Sequence, residues 1–147
     1  MTIRQSQRAI GQRPVPQAFT SGAVVAYLAE FIIPAGMTIG AGDIVELAVL
    51  PADHRIVDAQ ILPTGNFGAG VTADVGIMSG AVGSTDPART VGNELFAAVA
   101  TNAFGRLVKG DAIVLDHSNS DRSIGVKFSA AVTGAGQILR LQVLMTQ

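Results

Sequence analysis

The sequence has no cysteine and no tryptophan, a single tyrosine, and little charge. The absence of cysteine excludes disulfides and thiolate metal sites. Aromatic residues form 5% of the chain, which disfavours surfaces that stack sugars or single-stranded nucleic acid on exposed rings. A net charge of −1 gives no general signal for nucleic-acid binding, and no apolar run is long enough to span a bilayer. We therefore expect neither nucleic acid nor a membrane as a partner.

The chain is rich in apolar residues and poor in charged ones. Charged residues form 14% of the chain, against about 25% in an average globular protein, and hydrophobic residues form 48%. Either the surface is rich in glycine, alanine, serine and threonine, or part of it is covered by partners. The length of 147 residues suits a single domain.

The first 17 residues differ from the rest. They contain Arg4, Arg8 and Arg13 and no acidic residue, and prolines at positions 14 and 16 favour an extended path. This composition is typical of a disordered terminus, or of an arm whose arginines pair with carboxylates on a neighbouring subunit. We therefore divide the chain into an extended N-terminal arm, residues 1–17, and a single β-sandwich domain, residues 18–147.

Short strands separated by turn signals dominate the remainder. Alternating apolar and polar residues, bounded by glycine and proline, predict strands. The predicted strands cover residues 18–33, 44–50, 55–62, 71–78, 111–116, 124–132 and 137–145. Gly-Ala-Gly at residues 134–136 predicts a hairpin between the last two. The pattern indicates an all-β fold, an antiparallel β-sandwich or jelly-roll-like barrel with at most one short helix.

Residues 93–103 allow two interpretations. Asn93 is a good N-cap, and an apolar stripe from Leu95 to Ala103 fits a short helix. A strand fits nearly as well, because β-rich neighbours often override local propensity.

The longest connection follows the predicted strand at residues 71–78. Compact domains rarely keep so long a connection without a purpose. Asp86 and Pro87 predict a single turn, with the aspartate capping and the proline supplying a fixed φ. The glycines of this connection are expected to permit positive φ and close approach to a partner, since the GK[ST] ending of a phosphate loop is absent.

Residues that could carry chemistry are few and isolated. His54 and His117 are the only histidines, and neither has a second histidine at metal-ligand spacing. Asp116, Asn119 and Asp121 share one loop, but their spacing does not fit a calcium loop, and side chains that cap a turn explain them more simply. No GxSxG motif occurs. We predict no catalytic, cofactor or metal site, and no enzymatic activity.

Several segments in combination resemble a known family. They are DIVEL at residues 43–47, LPADH at 50–54, IVDA at 56–59, ADVGI at 73–77 and DRSIGV at 121–126. With the long loop and the terminal glycine-linked strands, they resemble the capsid decoration, or cement, proteins of tailed bacteriophages, over roughly residues 24–145.

The resemblance implies a non-enzymatic virion protein. Such proteins bind the outer surface of the expanded capsid, often as trimers, bridge neighbouring major capsid subunits and strengthen the shell against DNA pressure. The implied partners are the major capsid protein and further copies of this chain, a homotrimer. The implied location is the outer capsid surface, after synthesis in the host cytoplasm. The candidate contact residues lie on the arm, with Phe19 as its anchor, and on the long loop: Arg4, Arg8, Arg13, Phe19, Ser84, Asp86 and Arg89.

Three other functions stay open. A tail-tube or head–tail connector subunit would also be β-rich, and its long loop would bridge neighbours in a ring. A soluble ligand-binding β-sandwich, such as a carbohydrate module, is disfavoured by the scarcity of aromatic residues. A metal-dependent lyase or isomerase on a barrel is disfavoured by the isolated histidines.

Overall fold

The computed structural model describes residues 1–7, 9–12, 23–107, 110–112, 115 and 117–147. The strands in these residues are β1 (Ile3–Gln5), β2 (Val25–Ile32), β3 (Thr38–Ile39), β4 (Ile44–Leu50), β5 (Arg55–Thr64), β6 (Thr72–Ile77), β7 (Phe96–Ala100), β8 (Gly105–Arg106), β9 (Arg122–Phe128), β10 (Val132–Thr133) and β11 (Ile138–Thr146). A 3₁₀ turn at Gly110–Ala112 separates β8 from β9. No helix in the described residues is long and apolar enough to cross a membrane.

The strands form two large sheets. Sheet A has the order β1-β4-β9-β6-β7, in which β1 runs parallel to β4 and the other neighbours are antiparallel. Sheet B has the order β2-β11-β5-β8 and is antiparallel throughout. A short ribbon of β3 and β10 lies beside them.

Apolar side chains of both sheets meet in one buried cluster. Sheet A contributes Val45, Leu47, Val75, Ile124, Val126 and Phe128, and sheet B contributes Tyr27, Ala29, Ile61, Leu139, Leu141 and Val143. Two sheets that share one core in this way are a β-sandwich. The predicted all-β sandwich is confirmed, and the described strands do not close into a barrel.

The alternation of apolar and polar residues predicts most strands at the positions where the structure has them. In β11 every second residue is buried, from Leu139 to Met145, because one face of the strand meets the core. The strand at 44–50 has the predicted bounds, and the strands at 55–62 and 71–78 differ from the prediction by one or two residues at their ends. The first strand begins at Val25, and residues 18–22 of its predicted range lie outside the described residues.

The two interpretations of residues 93–103 are resolved in favour of a strand. β7 pairs with β6 at the edge of sheet A, with Thr72 opposite Ala100 and Val75 opposite Phe96. Hydrogen bonding to an existing sheet outweighs the helical propensity of its alanines.

The predicted terminal hairpin is wrong. β9 pairs with β4 and β6 in sheet A, whereas β11 pairs with β2 and β5 in sheet B. Between them the chain crosses from one sheet to the other through β10, where Val132 lies opposite Ile39 of β3. The strand predicted over residues 111–116 is also wrong at its start, which belongs to the 3₁₀ turn, and residues 113, 114 and 116 are not described.

Candidate functional site

A long loop covers the outer face of sheet A. Residues 78–95, the β6–β7 loop, leave β6 and fold back along it, and Met78 pairs with Val91 in a β-bridge. The Gly92 N–H donates to the Ile77 carbonyl oxygen at 2.9 Å. The loop therefore lies flat on its own sheet.

Two glycines allow this close approach. Gly125 of β9 is in register with Glu46 of β4 on one side and with Gly76 of β6 on the other. A Cβ atom on Gly76 would lie 2.6 Å from the Gly92 carbonyl oxygen, and a Cβ atom on Gly125 would lie 2.6 Å from Met78 Sδ. Contacts this short force atoms apart, so a side chain at either glycine would push the loop away from the sheet.

Arg89 belongs to this loop, and its side chain turns inward between the loop and sheet A, with only 3% of the residue's surface exposed. Its Nε donates to the Ser79 carbonyl oxygen and its Nη1 to the Ser84 carbonyl oxygen, each at 2.7 Å. Its Nη2 lies 3.2 Å from Glu46 Oε1 and 3.0 Å from Ser123 Oγ. The structure therefore corrects the placement of Arg89 on a contact surface: its guanidinium is used inside the chain, where it fixes the shape of the loop.

Glu46 joins three separate parts of the chain. Its Oε1 accepts hydrogen bonds from the Gly83 N–H at 3.0 Å and from the Ser123 hydroxyl, and its Oε2 accepts one from Gln5 Nε2 at 2.7 Å. Burial by itself raises the pKa of Glu46, but the hydrogen bonds from Arg89, Ser123, Gly83 and Gln5 outweigh it, and the pKa is lowered. The carboxylate is therefore ionised at neutral pH, as its pairing with Arg89 requires.

The N-terminal segment lies beside the β6–β7 loop. β1 places Arg4, which is half-buried, opposite Val45 in the parallel register with β4. A Cβ atom on Gly83 would lie 3.9 Å from Gln5 Nε2 and 3.8 Å from the Ala9 carbonyl oxygen. The structure thus brings together two elements that were predicted separately as contact elements, the start of the arm and the loop.

The remaining predicted contact residues fall into two groups. Asp86 is exposed, and its Oδ1 accepts the Ala88 N–H at 2.9 Å, which confirms the predicted turn. Ser84 is half-buried, and its Oγ accepts the Asp86 N–H at 3.2 Å. Three residues lie outside the described part of the chain: Arg8, Arg13 and Phe19. The arm as a separate unit, residues 1–17, therefore stays a prediction.

Both histidines have local partners. His54 is buried and its Nδ1 lies 2.8 Å from the Ala52 carbonyl oxygen, while His117 Nδ1 lies 3.2 Å from Arg55 Nη2. Asp121 accepts the Ala52 N–H at 2.8 Å, which is the capping role expected for its loop. Among the described residues, no three histidine, aspartate or glutamate side chains come together in a way that could hold a metal ion.

Sequence reasoning missed the outer face of sheet B. Four large apolar side chains are 44–56% exposed there or at its edge: Leu28, Ile32, Leu62 and Phe104. A groove of about 190 Å³ runs across this face, lined by Leu28, Gln60, Leu62, Phe104, Arg140 and Gln142. The sequence signal was the presence of Leu28 and Ile32 on the side of β2 that alternation assigns to solvent.

The chain is similar to proteins of phage capsids. It matches a chain of the capsid of Ralstonia phage GP4 with 38% sequence identity and a TM-score of 0.88, over 99% of this chain and 97% of that one. It matches the cyanophage Pam1 capsid asymmetric unit with 15% identity and a TM-score of 0.61, over 91% of both chains. The acidic stable capsid of Helicobacter pylori bacteriophage KHP30 gives 16% identity and a TM-score of 0.55, over 87% of this chain and 90% of that one.

The three similarities carry different weight. Those to Pam1 and KHP30 are too low in sequence identity to show more than a common fold. No protein-family profile and no curated protein matches the sequence. The GP4 match combines 38% identity with coverage of nearly the whole of both chains, which shows common family. This chain therefore belongs to the family of virion structural proteins represented in the capsid of Ralstonia phage GP4.

Proposed function

We propose that the chain is a decoration, or cement, protein. It binds the outer surface of a tailed-phage capsid as a homotrimer and stabilises the shell by bridging neighbouring major capsid subunits. Its role is mechanical and not enzymatic. Membership of a capsid family supports the virion setting, and the sequence resemblance supports the role within the virion.

The observation that carries the proposal is the presence of two surfaces of different chemistry, one built on each sheet of the sandwich. On sheet A, the N-terminal segment and the β6–β7 loop lie next to each other and offer polar and basic groups. On sheet B, apolar side chains are exposed. A protein that bridges subunits needs more than one contact surface, and two of different chemistry can serve two different partners.

We assign the sheet A side to the major capsid protein. Arg4 on β1 and Asp86 on the loop are its described candidates, with Ser84 at its margin. Arg8 and Arg13 belong to the predicted arm, and Phe19, just after it, is the predicted anchor. The first 17 residues contain three arginines and no acid. Arginines suit a carboxylate-bearing surface, because each can form a bidentate pair. Arg89 contributes to this surface indirectly, because its buried guanidinium donates hydrogen bonds to two carbonyl oxygens of the loop and so fixes the loop's shape.

The test is to add the purified chain to phage particles assembled without it. A decoration protein should bind to shells that are already complete and raise the temperature at which they release DNA. A variant with Arg4→Ala and Asp86→Ala, which changes the sheet A side alone, should bind more weakly. His117→Ala, whose side chain contacts Arg55 of sheet B, should bind as the wild type does.

Two results would overturn the proposal. If no closed shell forms without the chain, it is a shell-building subunit and not a decoration protein. If shells form but do not bind the chain, it belongs to another part of the virion, and rings or tubes of the purified chain would then identify a tail-tube or connector subunit.

A further inference from the structure

The sandwich is open along the side where β1 and β2 lie. β1 is the outermost strand of sheet A, and β2 is the outermost strand of sheet B. A cavity of about 230 Å³ lies between them, with Gln5, Ser6 and Gln7 on one wall and residues 28 and 30–32 of β2 on the other. The cavity therefore borders the edge of β2, where a sheet can accept a further strand.

The edge of β2 offers backbone groups that its own sheet does not use. The Ile33 N–H donates to the Gln137 carbonyl oxygen at 2.8 Å, and the Ile33 carbonyl oxygen accepts the Gly136 N–H at 3.1 Å, so both groups of Ile33 point toward the β11 side. Because backbone groups alternate in direction along a strand, those of Ile32 and Glu30 point away from β11 and toward the cavity. Among the strands of the described residues, none pairs with β2 on this side.

Arg4, next in the chain to the cavity wall, carries a donor that has no partner. In a parallel pair of strands the partners share a face, so Arg4 lies on the same face of sheet A as Val45, which belongs to the core between the sheets. The Arg4 Nε atom is buried and has no hydrogen-bond partner among the described residues. The Asp43 carboxylate already accepts the N–H groups of Thr2 and Gly40, at 2.7 and 2.9 Å. A carboxylate supplied from outside the chain would stabilise this guanidinium.

These groups define the chemistry of the partner. Backbone N–H and carbonyl groups at a sheet edge are satisfied by an extended polypeptide that adds as a strand. Leu28 and Ile32, each about half exposed, suit apolar side chains on that strand. Arg4 suits a carboxylate on it. The N-terminal arm of a second copy cannot supply one, because the first acidic residue of the chain is Glu30.

From these observations we infer that the open side of the sandwich binds an extended, carboxylate-bearing segment of the major capsid protein. The segment adds to sheet B as a strand beside Glu30 and Ile32 of β2, and its carboxylate pairs with Arg4. The inference rests on the proposed function, in which the chain binds a capsid, and adds the way in which the capsid segment is held.

The direct test is hydrogen–deuterium exchange of the full chain, free and bound to phage particles assembled without it. The amides of Glu30 and Ile32 should exchange at least tenfold more slowly on particles, because strand addition gives each a hydrogen bond. The amides of β7, at the other edge of sheet A, are the internal control and should change little. Protection of Glu30 and Ile32 already in the free chain, or equal exchange in both states, overturns the inference.

Substitutions test the backbone edge and the charge separately. Ile32→Pro removes an edge N–H without removing a hydrogen bond to β11, and it should weaken particle binding by roughly tenfold. Ile32→Val keeps the N–H and should bind as the wild type does. Arg4→Gln should weaken binding by a similar factor, and Arg4→Lys, which keeps the charge but not the planar fork, by less.

Circular dichroism and thermal unfolding show whether each variant keeps the fold. If Ile32→Pro does not fold, the exchange of the wild type and the two Arg4 variants decide the question. A folded Ile32→Pro that binds particles as tightly as the wild type overturns the inference.

Particle binding separates this inference from the proposed function. If the wild type binds particles but Ile32→Pro and Arg4→Gln bind equally well, the inference fails and the proposed function stands. If Ile32→Pro lowers the molar mass of the free chain, the edge joins copies of this chain and the inference is overturned. If the wild type binds no particle, the proposed function fails and the inference fails with it.

Discussion

The outer faces of the two sheets differ in how far the chain itself covers them. Sheet A is covered by its own chain: the β6–β7 loop lies on it, and Arg89 and Glu46 are paired and buried between them. Sheet B carries its ion pairs at the surface, with the Arg106 side chain 65% exposed, and leaves Leu62 and Phe104 in contact with solvent. The difference teaches that one face is specified by contacts within the chain, and the other is available for contacts between chains.

The largest expected effect on stability comes from substituting one arginine on each sheet. Arg89→Met should lower the free energy of unfolding by about 3–5 kcal/mol, because it leaves the buried Glu46 carboxylate without its cation. Arg106→Met, the matched control on sheet B, should cost about 0–1 kcal/mol, because its ion pair is exposed. Urea unfolding of both variants measures the two values. Equal losses would contradict the view that sheet A alone depends on a buried charge pair.

A smaller effect is expected from the glycine under the loop. Gly76→Ala should destabilise the protein by about 1–3 kcal/mol, because its Cβ meets the backbone of Gly92, which can yield only if the loop moves. Gly110→Ala provides the control, since a Cβ there has no neighbour within 4 Å. Thermal unfolding should show a clear decrease for the first variant and little change for the second. An unchanged Gly76→Ala would mean that the loop is loosely held.

Low pH should destabilise the protein by protonating Glu46 under the β6–β7 loop. Its pKa is lowered in the folded protein below the ordinary value of 4.5, so its stabilisation is complete above about pH 4.5. That stabilisation is lost as the pH falls through the lowered folded pKa. The free energy of unfolding of the wild type should therefore fall more steeply in this acidic range than that of Glu46→Gln, which cannot titrate at this position. Parallel pH profiles would show that Glu46 is not the group responsible.

The smallest effect is expected on the exposed face of sheet B. Leu62→Thr should change the free energy of unfolding by less than about 0.5 kcal/mol, measured at protein concentrations low enough to separate the copies. The same substitution at Leu139, which is fully buried in the neighbouring strand, should cost about 2–5 kcal/mol, because it leaves a cavity and buries a hydroxyl. A large loss at Leu62 would show that this face is part of the monomer's own core.

The sequence predicted where strands lie better than which strands pair. Alternation reports that one face of β11 is buried, and this is a local property. It does not identify the neighbour, which is why β9 and β11 were expected to form a hairpin and instead lie in different sheets. Loop length and turn chemistry were compatible with either arrangement, and only packing between distant segments distinguishes them.

The candidate site was predicted in part, for similar reasons. The length and composition of the β6–β7 loop predict that it contacts a partner. The turn at Asp86 follows from the capping preference of aspartate and the fixed φ of the proline after it. The burial of Arg89 could not be predicted, because arginine is usually exposed and its partner lies 43 residues away. Glu46 carried a signal that could have been used, since an acid within the apolar run IVELAVL requires a buried cation or donors.

The parallel pairing of β1 with β4 has a consequence for synthesis on the ribosome. β1 and its flanking residues leave the ribosome before the segment that they contact, since the hydrogen bonds of Thr2, Gln5 and Ser6 to residues 43, 46 and 47 each span 41 residues of chain. The other partners of Glu46, on the loop and on β9, emerge later still, Ser123 being 77 residues away. β1 therefore remains undocked until β4 has been made, and the full set of hydrogen bonds around Glu46 can form only after β9.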